Sequence, residues 1–598
     1  MQFNLPKSGA GGSRRHEPER VRAWLDGLPK LDHAALGREF LAYLEEANAT
    51  ELPTGDRLAV LEMLREETEA LLDAHRRQCE RLSFPLEDEN LHLHDEVQAL
   101  LAALATGYRI VADQSLARSD RLDEVRDRLR LAVLRAVELL GWRIVTAQSL
   151  YRPPPRGVWQ ELHHIYREAE RTGMDRERVE HLSDWSVGGA YLRIVLTSLA
   201  DPFALMQGEI HEVYRRLRKW ALAVRVVHPE ELPPAKLREA IEGHFVIDLE
   251  RDAAGSFGRG PDEDGGEIRI LELGELLRIV EDRIRELTLE KKTGFADWQQ
   301  RDLLRRLRNA WRGRPPRSAD RLSRQGSVRI IAGLPAVHHQ LDGGRDFTPE
   351  EDEVTLHGDQ FQQRSTLSLV PMDQEAWRND EARQKLAEGV IKPRGYVFDL
   401  EEKEADIWKK ATLISGTGKT TLEEWVERRT TGSRSELEVR DVSSGGFRMV
   451  CPAGSGIRLR VGGLLLIDDG RERARLGTVR WLMTRGDEAV ELGAGFLQGT
   501  PRPTAIRGLE GMGAGSQYQR ALLLTGDEHE ACLAPAGLFA PESLVLTNDR
   551  EHLRLVRFRR ILYSTKSITC FETETLEIND LRRQEIISSL YKLLNRED

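Results

Sequence analysis

Along this chain the hydrophobic residues change period once, and that change sets what the chain can fold into. From about Val21 to Arg225 they recur three to four positions apart, as in Leu58, Leu61 and Leu64 passing into Leu71 and Leu72, and again in Leu129, Val133, Leu134, Val137 and Leu140. That spacing lines one face of a helix. Beyond Pro316, apolar and polar residues alternate in short runs, the pattern of strands with one side buried. No single bundle or sheet satisfies both periods. The sequence therefore predicts a multidomain α + β chain, with an N-terminal all-α helical bundle or irregular solenoid and a C-terminal antiparallel β-barrel with extra strands. The length of 598 residues agrees, because one hydrophobic core rarely serves more than ~250–300 residues.

Residues 1–18, rich in glycine, serine and charge, read as a disordered tail. The helical region, 19–225, is punctuated at Pro53, Pro85, Pro153 to Pro155, Gly188-Gly189 and Pro202, which divides it into roughly eight helices. Residues 226–312 form a small α/β bridge. It contains the strand candidates FVIDL (245–249) and EIRILEL (267–273) and ends in an Arg-rich helix that Pro315-Pro316 stops. Residues 313–510 hold the strand candidate GSVRIIAG (326–333), a long insertion at about 342–430, and five further strands: SELEVRDVS, GFRMV, GIRLRVGGLLLI, RLGTVRWLM and AVELGAGFL. In 511–598, RALLL, SLVLT and HLRLVRFRRILY read as extra strands, and DLRRQEIISSLYKLL as a closing amphipathic helix.

Several function classes fall away. A net charge of -11 argues against a nucleic-acid partner. No apolar run approaches the ~18 residues of a spanning helix, and the N-terminus lacks an apolar leader core, so membrane insertion and secretion are not expected and a cytoplasmic location is. The sequon at Asn48 is then a chance match. Cys79, Cys451, Cys532 and Cys570 lie far apart, in neither a zinc nor a disulfide pattern. His92, His94, His163 and His164 have no third ligand placed by spacing and read as structural or surface residues. Trp159, Trp185, Tyr214 and Trp220 read as core. The stretch LISGTGKTTL (413–422) looks like a phosphate-binding loop, but Leu413 stands where the cradle needs glycine. With no paired carboxylates or nucleophile elbow either, no catalytic residue, metal or cofactor is expected, and the chain does not read as an enzyme.

What remains is Asp441-x-Ser443-x-x-Gly446, followed by Gly477-x-Val479-x-Trp481 and Leu492-Gly493-Ala494-Gly495-Phe496. This pattern resembles the PilZ domain, a bacterial six-stranded barrel that binds cyclic di-GMP and pairs a [D/N]xSxxG signature with an upstream RxxxR. Arg301/Arg305 and Arg308/Arg312 match RxxxR inside a helix, whereas Arg317 and Arg321 precede the first barrel strand, where the family places its pair. Asp441 lies much further beyond Arg321 than the family's few tens of residues, and an insertion of roughly 90 residues after the first strand reconciles them. The resemblance implies a cyclic di-GMP site of Arg317, Arg321, Asp441, Ser443 and Gly446. Arginine can offer its planar fork to guanine or phosphate, Asp441 can accept from guanine N–H groups, Ser443 adds a short polar contact, and Gly446 leaves room for the ligand. It also implies a receptor that relays the messenger to an unidentified protein partner through the helical region, in control of motility, pili, adhesion or exopolysaccharide. Two alternatives stand beside it: a scaffold whose barrel has lost its ligand, and an NTPase using Gly416–Thr420.

Overall fold

Among the described residues the helical periodicity is realised as eight helices: α1 (Pro18–Asp26), α2 (His33–Ala49), α3 (Thr54–Cys79), α4 (Asp88–Leu116), α5 (Leu122–Ser149), α6 (Val158–Arg171), α7 (Val187–Ser198) and α8 (Glu209–Trp220). They belong to a computed structural model that describes residues 5, 16–30, 32–117, 122–178, 185–260, 266–289, 295–313, 322–323, 326–349, 434–470, 474–486, 488–509, 517–526 and 530–576. Gly188 and Gly189 do not break a helix. They form the first turn of α7, where the Ser186 hydroxyl accepts from the Gly189 N–H at 3.2 Å, and a Cβ on Gly188 would lie 2.9 Å from the Asp175 carbonyl. The glycine serves close packing there. Among the described residues no helix is long and apolar enough to cross a membrane.

The α/β bridge adds β1 (Arg225–Val227), α9 (Pro234–Gly243), β2 (Phe245–Asp248), β3 (Ser256–Phe257), β4 (Ile268–Glu272), α10 (Gly274–Leu289) and α11 (Phe295–Trp311). Its antiparallel sheet has the order β1-β4-β2-β3. Phe245, Ile247, Leu271, Leu276 and Trp311 share one core with the eight helices, and the Trp311 indole donates to the Leu196 carbonyl at 3.1 Å. Trp159, Trp185 and Tyr214 are buried in that core as expected.

The described residues of the β region close into two six-stranded rings. The first uses β6 (Ser327–Ala332), β7 (Arg434–Ser443), β8 (Gly446–Cys451), β9 (Leu464–Asp468), β10 (Arg475–Thr484) and β11 (Val490–Phe496). A short β5 (Leu322–Ser323) lies beside β7, and α12 (Leu334–Leu341) follows β6. The two strands that flank the insertion pair antiparallel, from Ser327 with Glu438 to Ile331 with Arg434. The later runs do not lengthen this barrel. Instead β12 (Thr500–Gly508), β13 (Gln519–Thr525), β14 (Glu530–Pro535), β15 (Leu544–Asn548), β16 (Leu553–Ser564) and β17 (Ile568–Thr575) form a closed barrel of their own. β12 carries Pro501 and Pro503, which argue against a strand. They sit in the half that pairs with β13 alone, while β15 meets only Ala505–Gly508, so the missing N–H groups leave no ladder gap. The sequence-predicted C-terminal helix lies outside the described residues.

Helices and first barrel meet in one core. Phe84, Leu150, Tyr151 and Met206 pack among Val328, Leu437, Met449, Leu465 and Leu482. The expected strand GIRLRVGGLLLI is shorter than read, because only its second half joins the barrel as β9. Leu459 instead exchanges hydrogen bonds with Phe84 at 2.9 and 2.8 Å, and Gly456 and Gly462, at φ 72° and 80°, turn the chain on either side. Arg152 clasps Glu488 at 2.8 and 3.1 Å, and Thr484 N–H donates to the Tyr151 carbonyl at 2.8 Å.

Phe84 is fully buried, edge-on to Tyr151 at 4.9 Å. Phe84→Ala is expected to cost about 3–5 kcal/mol and to split chemical denaturation of helices and barrel into separate steps; an unchanged single transition would contradict the shared core. A second expectation concerns His75 and His94, stacked in the helical core at 6.0 Å. Burial lowers their pKa values to about 4 and about 3. The unfolded chain protonates such rings near 6.5, so stability is full above that pH. It falls as pH drops below 6.5 toward the folded values, by up to about 1.4 kcal/mol per pH unit and ring. The double variant His75→Gln/His94→Gln should flatten the melting temperature against pH between 7 and 5, whereas an unaltered slope would assign the effect to other groups.

Candidate functional site

Strict alternation along β7 would bury Asp441, because Leu437 and Val439 both point into the barrel core. The ladder slips first. Val439 pairs with Met449 but Asp441 pairs with Arg448, which leaves Arg440 as an extra residue. This bulge exchanges the two faces for the rest of the strand, so Val442 packs against the core while Asp441 and Ser443 turn outward. The same device recurs on β10. Val479 pairs with Ala494 and Trp481 with Gly493, Arg480 is the extra residue, and Leu482 returns to the core. Two bulges thus bring polar and aromatic side chains to one outer face, across β7, β8, β11 and β10.

The glycines make that face flat. A Cβ on Gly493 would lie 2.1 Å from Nε1 of Trp481, and one on Gly495 would lie 2.7 Å from Nε of Arg480. Gly446 is also required by its neighbour, since a Cβ would sit 1.9 Å from the Ala494 carbonyl oxygen on β11. Ser443 Oγ, 3.5 Å from the Gly446 carbonyl, spans the β7–β8 turn.

Charge on this face is organised around Arg448, which sequence reasoning missed. Its Nε donates to Glu491 Oε1, and its Nη1 lies 3.6 Å from Asp441 Oδ2. The bond to Glu491, with the charges of Glu491 and Asp441, outweighs the lowering effect of burial and leaves the Arg448 pKa raised. The Glu491 side chain is only 5% exposed, against 40% for Arg448. A carboxylate held that far from water needs such a partner. Arg448 therefore fixes the place of Asp441, and Glu491 fixes that of Arg448. The signal available in the sequence was the polar residue at an outward position of β8 facing another on β11, legible only once the pairing of those strands is known.

β5 pairs Leu322 with Val442 and Ser323 with Asp441. Leu322 directly follows Arg321 in the sequence. Arg317 and Arg321 themselves lie outside the described residues, as does the loop-like stretch 413–422. Among the residues that can be placed, Asp441, Ser443 and Gly446 come together. The histidines weighed as ligands do not. Both ring nitrogens of His163 are engaged at 2.8 Å, by the Tyr191 hydroxyl and the Ala253 carbonyl, and the described residues contain no group of three His, Cys, Asp or Glu side chains able to hold a metal. An outward carboxylate beside a hydroxyl, over a glycine floor edged by Trp481 and Arg480, suits a planar ligand with N–H donors.

Comparison with known proteins gives two family matches. Residues 19–230 match the N-terminal domain of Cyclic-di-GMP receptor FimW, and residues 244–503 match its middle PilZ domain. The Pseudomonas aeruginosa protein Cyclic-di-GMP receptor FimW is 24% identical over 582 residues, spanning 94% of this chain and 91% of that protein. No solved structure matches. Because a strand neighbour requires Gly446, Gly446→Ala is expected to destabilise the first barrel by about 2–3 kcal/mol even without ligand; an unchanged melting temperature would leave ligand contact as its only role.

Proposed function

From the premise that the chain belongs to the PilZ-domain cyclic di-GMP receptor family, we propose that it binds cyclic di-GMP on the outer face of the first barrel and relays its level to a protein partner through the helical region. The observation that carries this reading is the pairing of β5 with β7. It brings Leu322 and Ser323, which follow Arg321 in the sequence, beside the strand of Asp441 across the insertion, and so supports the choice of Arg317 and Arg321. Asp441 accepts from guanine N–H groups, Ser443 adds a short polar contact, and Arg317 and Arg321 supply the planar forks for guanine edges and phosphates. Gly446 keeps β8 close to β11 beneath them. The protein acts as a receptor rather than a catalyst, in the cytoplasm, with an output in motility, pili, adhesion or exopolysaccharide.

Relay to the helical region has a physical route. The bulge on β10 is hydrogen-bonded to the 459–463 loop, Gly462 N–H to the Val479 carbonyl at 2.8 Å and Val479 N–H to the Gly463 carbonyl at 3.0 Å. The same loop holds Phe84 of the helical region. A ligand that presses on Arg480 and Trp481 therefore acts one residue from the joint.

Cyclic di-GMP at 100-fold above its dissociation constant should stabilise the full chain by about 2.7 kcal/mol, with GTP and Mg-ATP giving no shift. Arg321→Ala should lose most of the affinity while keeping its circular dichroism spectrum. Unchanged affinity in that variant would show that another arginine serves, and a shift with Mg-ATP alone would favour the NTPase alternative.

A further inference from the structure

The second barrel repeats the first. Numbered in chain order within each barrel, the strands close as first, second, third, sixth, fifth, fourth in both, and every pairing is antiparallel. The turns repeat as well. After the third strand the first barrel reads Pro452-Ala453-Gly454 and the second Pro535-Ala536-Gly537, with the glycines at φ 71° and 78°. Between fourth and fifth strands, Asp468 Oδ1 accepts from Gly470 N–H at 2.9 Å, and Asn548 Oδ1 accepts from Arg550 N–H at 2.9 Å. Gly470 and Arg550 have φ 71° and 70°, a conformation an arginine rarely adopts. Where the first barrel carries its insertion, the second joins first to second strand through residues 509–518 alone.

The shared Pro-Ala-Gly turn sets the correspondence. Counting back from it, Arg448 matches Ala531 and Val450 matches Leu533, and their ladder partners match in turn: Asp441 with Leu524, and Glu491 with Cys570. The charged ladder Asp441, Arg448, Glu491 becomes Leu524, Ala531, Cys570. These three, with Leu533, are buried in one cluster with Ile331, Leu464, Leu466 and Leu476 on the outside of the first barrel.

We propose that the second barrel is a ligand-silent copy of the first, docked onto it through the very face on which the first binds its ligand. The chain then has one cyclic di-GMP-binding face, and the second barrel is the base against which the sensing barrel is held. The ligand half of this rests on the receptor reading above, while the docking half stands on the packing alone.

Both halves are tested on the full chain. Leu466→Asp, in the first barrel, should undock the second barrel, so that Cys570 reacts with maleimide at least about tenfold faster, while Cys532, inside the second barrel, stays protected. An unaltered rate at Cys570, or equal exposure of both thiols, would overturn docking of an intact copy. For the ligand half, Asp441→Ala should weaken cyclic di-GMP binding by about 10- to 100-fold and leave no sites at the original affinity. Half of the sites surviving at that affinity would overturn the silence of the second barrel. No binding by the unaltered chain would instead refute the receptor reading, with the thiol rates still deciding the docking.

Discussion

Pairing of β6 with β7 is the constraint on which the site depends. The first barrel closes only if a strand ending at Ala332 finds one beginning at Arg434. Closing a connection of about a hundred residues rather than about ten costs only about 2 kcal/mol more, because loop entropy grows with the logarithm of length. Val328 and Ile330, buried beside Leu437 and Val439, offset that cost. Once the ring is closed, β7 has a free outer flank at its far end, where β5 pairs Ser323 with Asp441.

A second constraint follows from burying strands on both faces. In β9, Leu465 and Ile467 face the first barrel's interior, while Leu464 and Leu466 face the second barrel. In β13, Ala521 and Leu523 face inward and Leu522 and Leu524 face the first barrel. Uninterrupted runs such as LLLI and ALLL are the price of two barrels sharing a wall. With helices packed into one end of the first barrel and a second barrel against its side, the outer face of β7, β8, β11 and the bulged part of β10 is left to carry charge.

Most element types were legible in the sequence, and so was the turn of Asp441, Ser443 and Gly446. Period 3.6 marked the eight helices, period 2 marked nearly all strands of the first barrel, and the spacing of Asp441, Ser443 and Gly446 marked the turn between β7 and β8. In the second barrel β12, β14 and β17 were missed. β12 carries two prolines, and the pairing partners of all three make them strands. Gly188-Gly189 was misleading in the opposite sense, since the turn of α7 against Asp175 needs a residue without a side chain.

By itself, then, the sequence determined most of the segments that are helix or strand, that the chain is divided in two by its hydrophobic period, and which three residues mark the turn between β7 and β8. These depend on neighbours a few positions apart, where period and turn chemistry act. Tertiary structure alone decided that β6 meets β7 across the insertion, that bulges at Arg440 and Arg480 turn Asp441 and Trp481 outward, and that Glu491 steadies Arg448. It also decided that the last strands form a second ring instead of lengthening the first. Each of these turns on a partner distant in the chain, and a strand's own residues specify which faces it must bury without specifying against what.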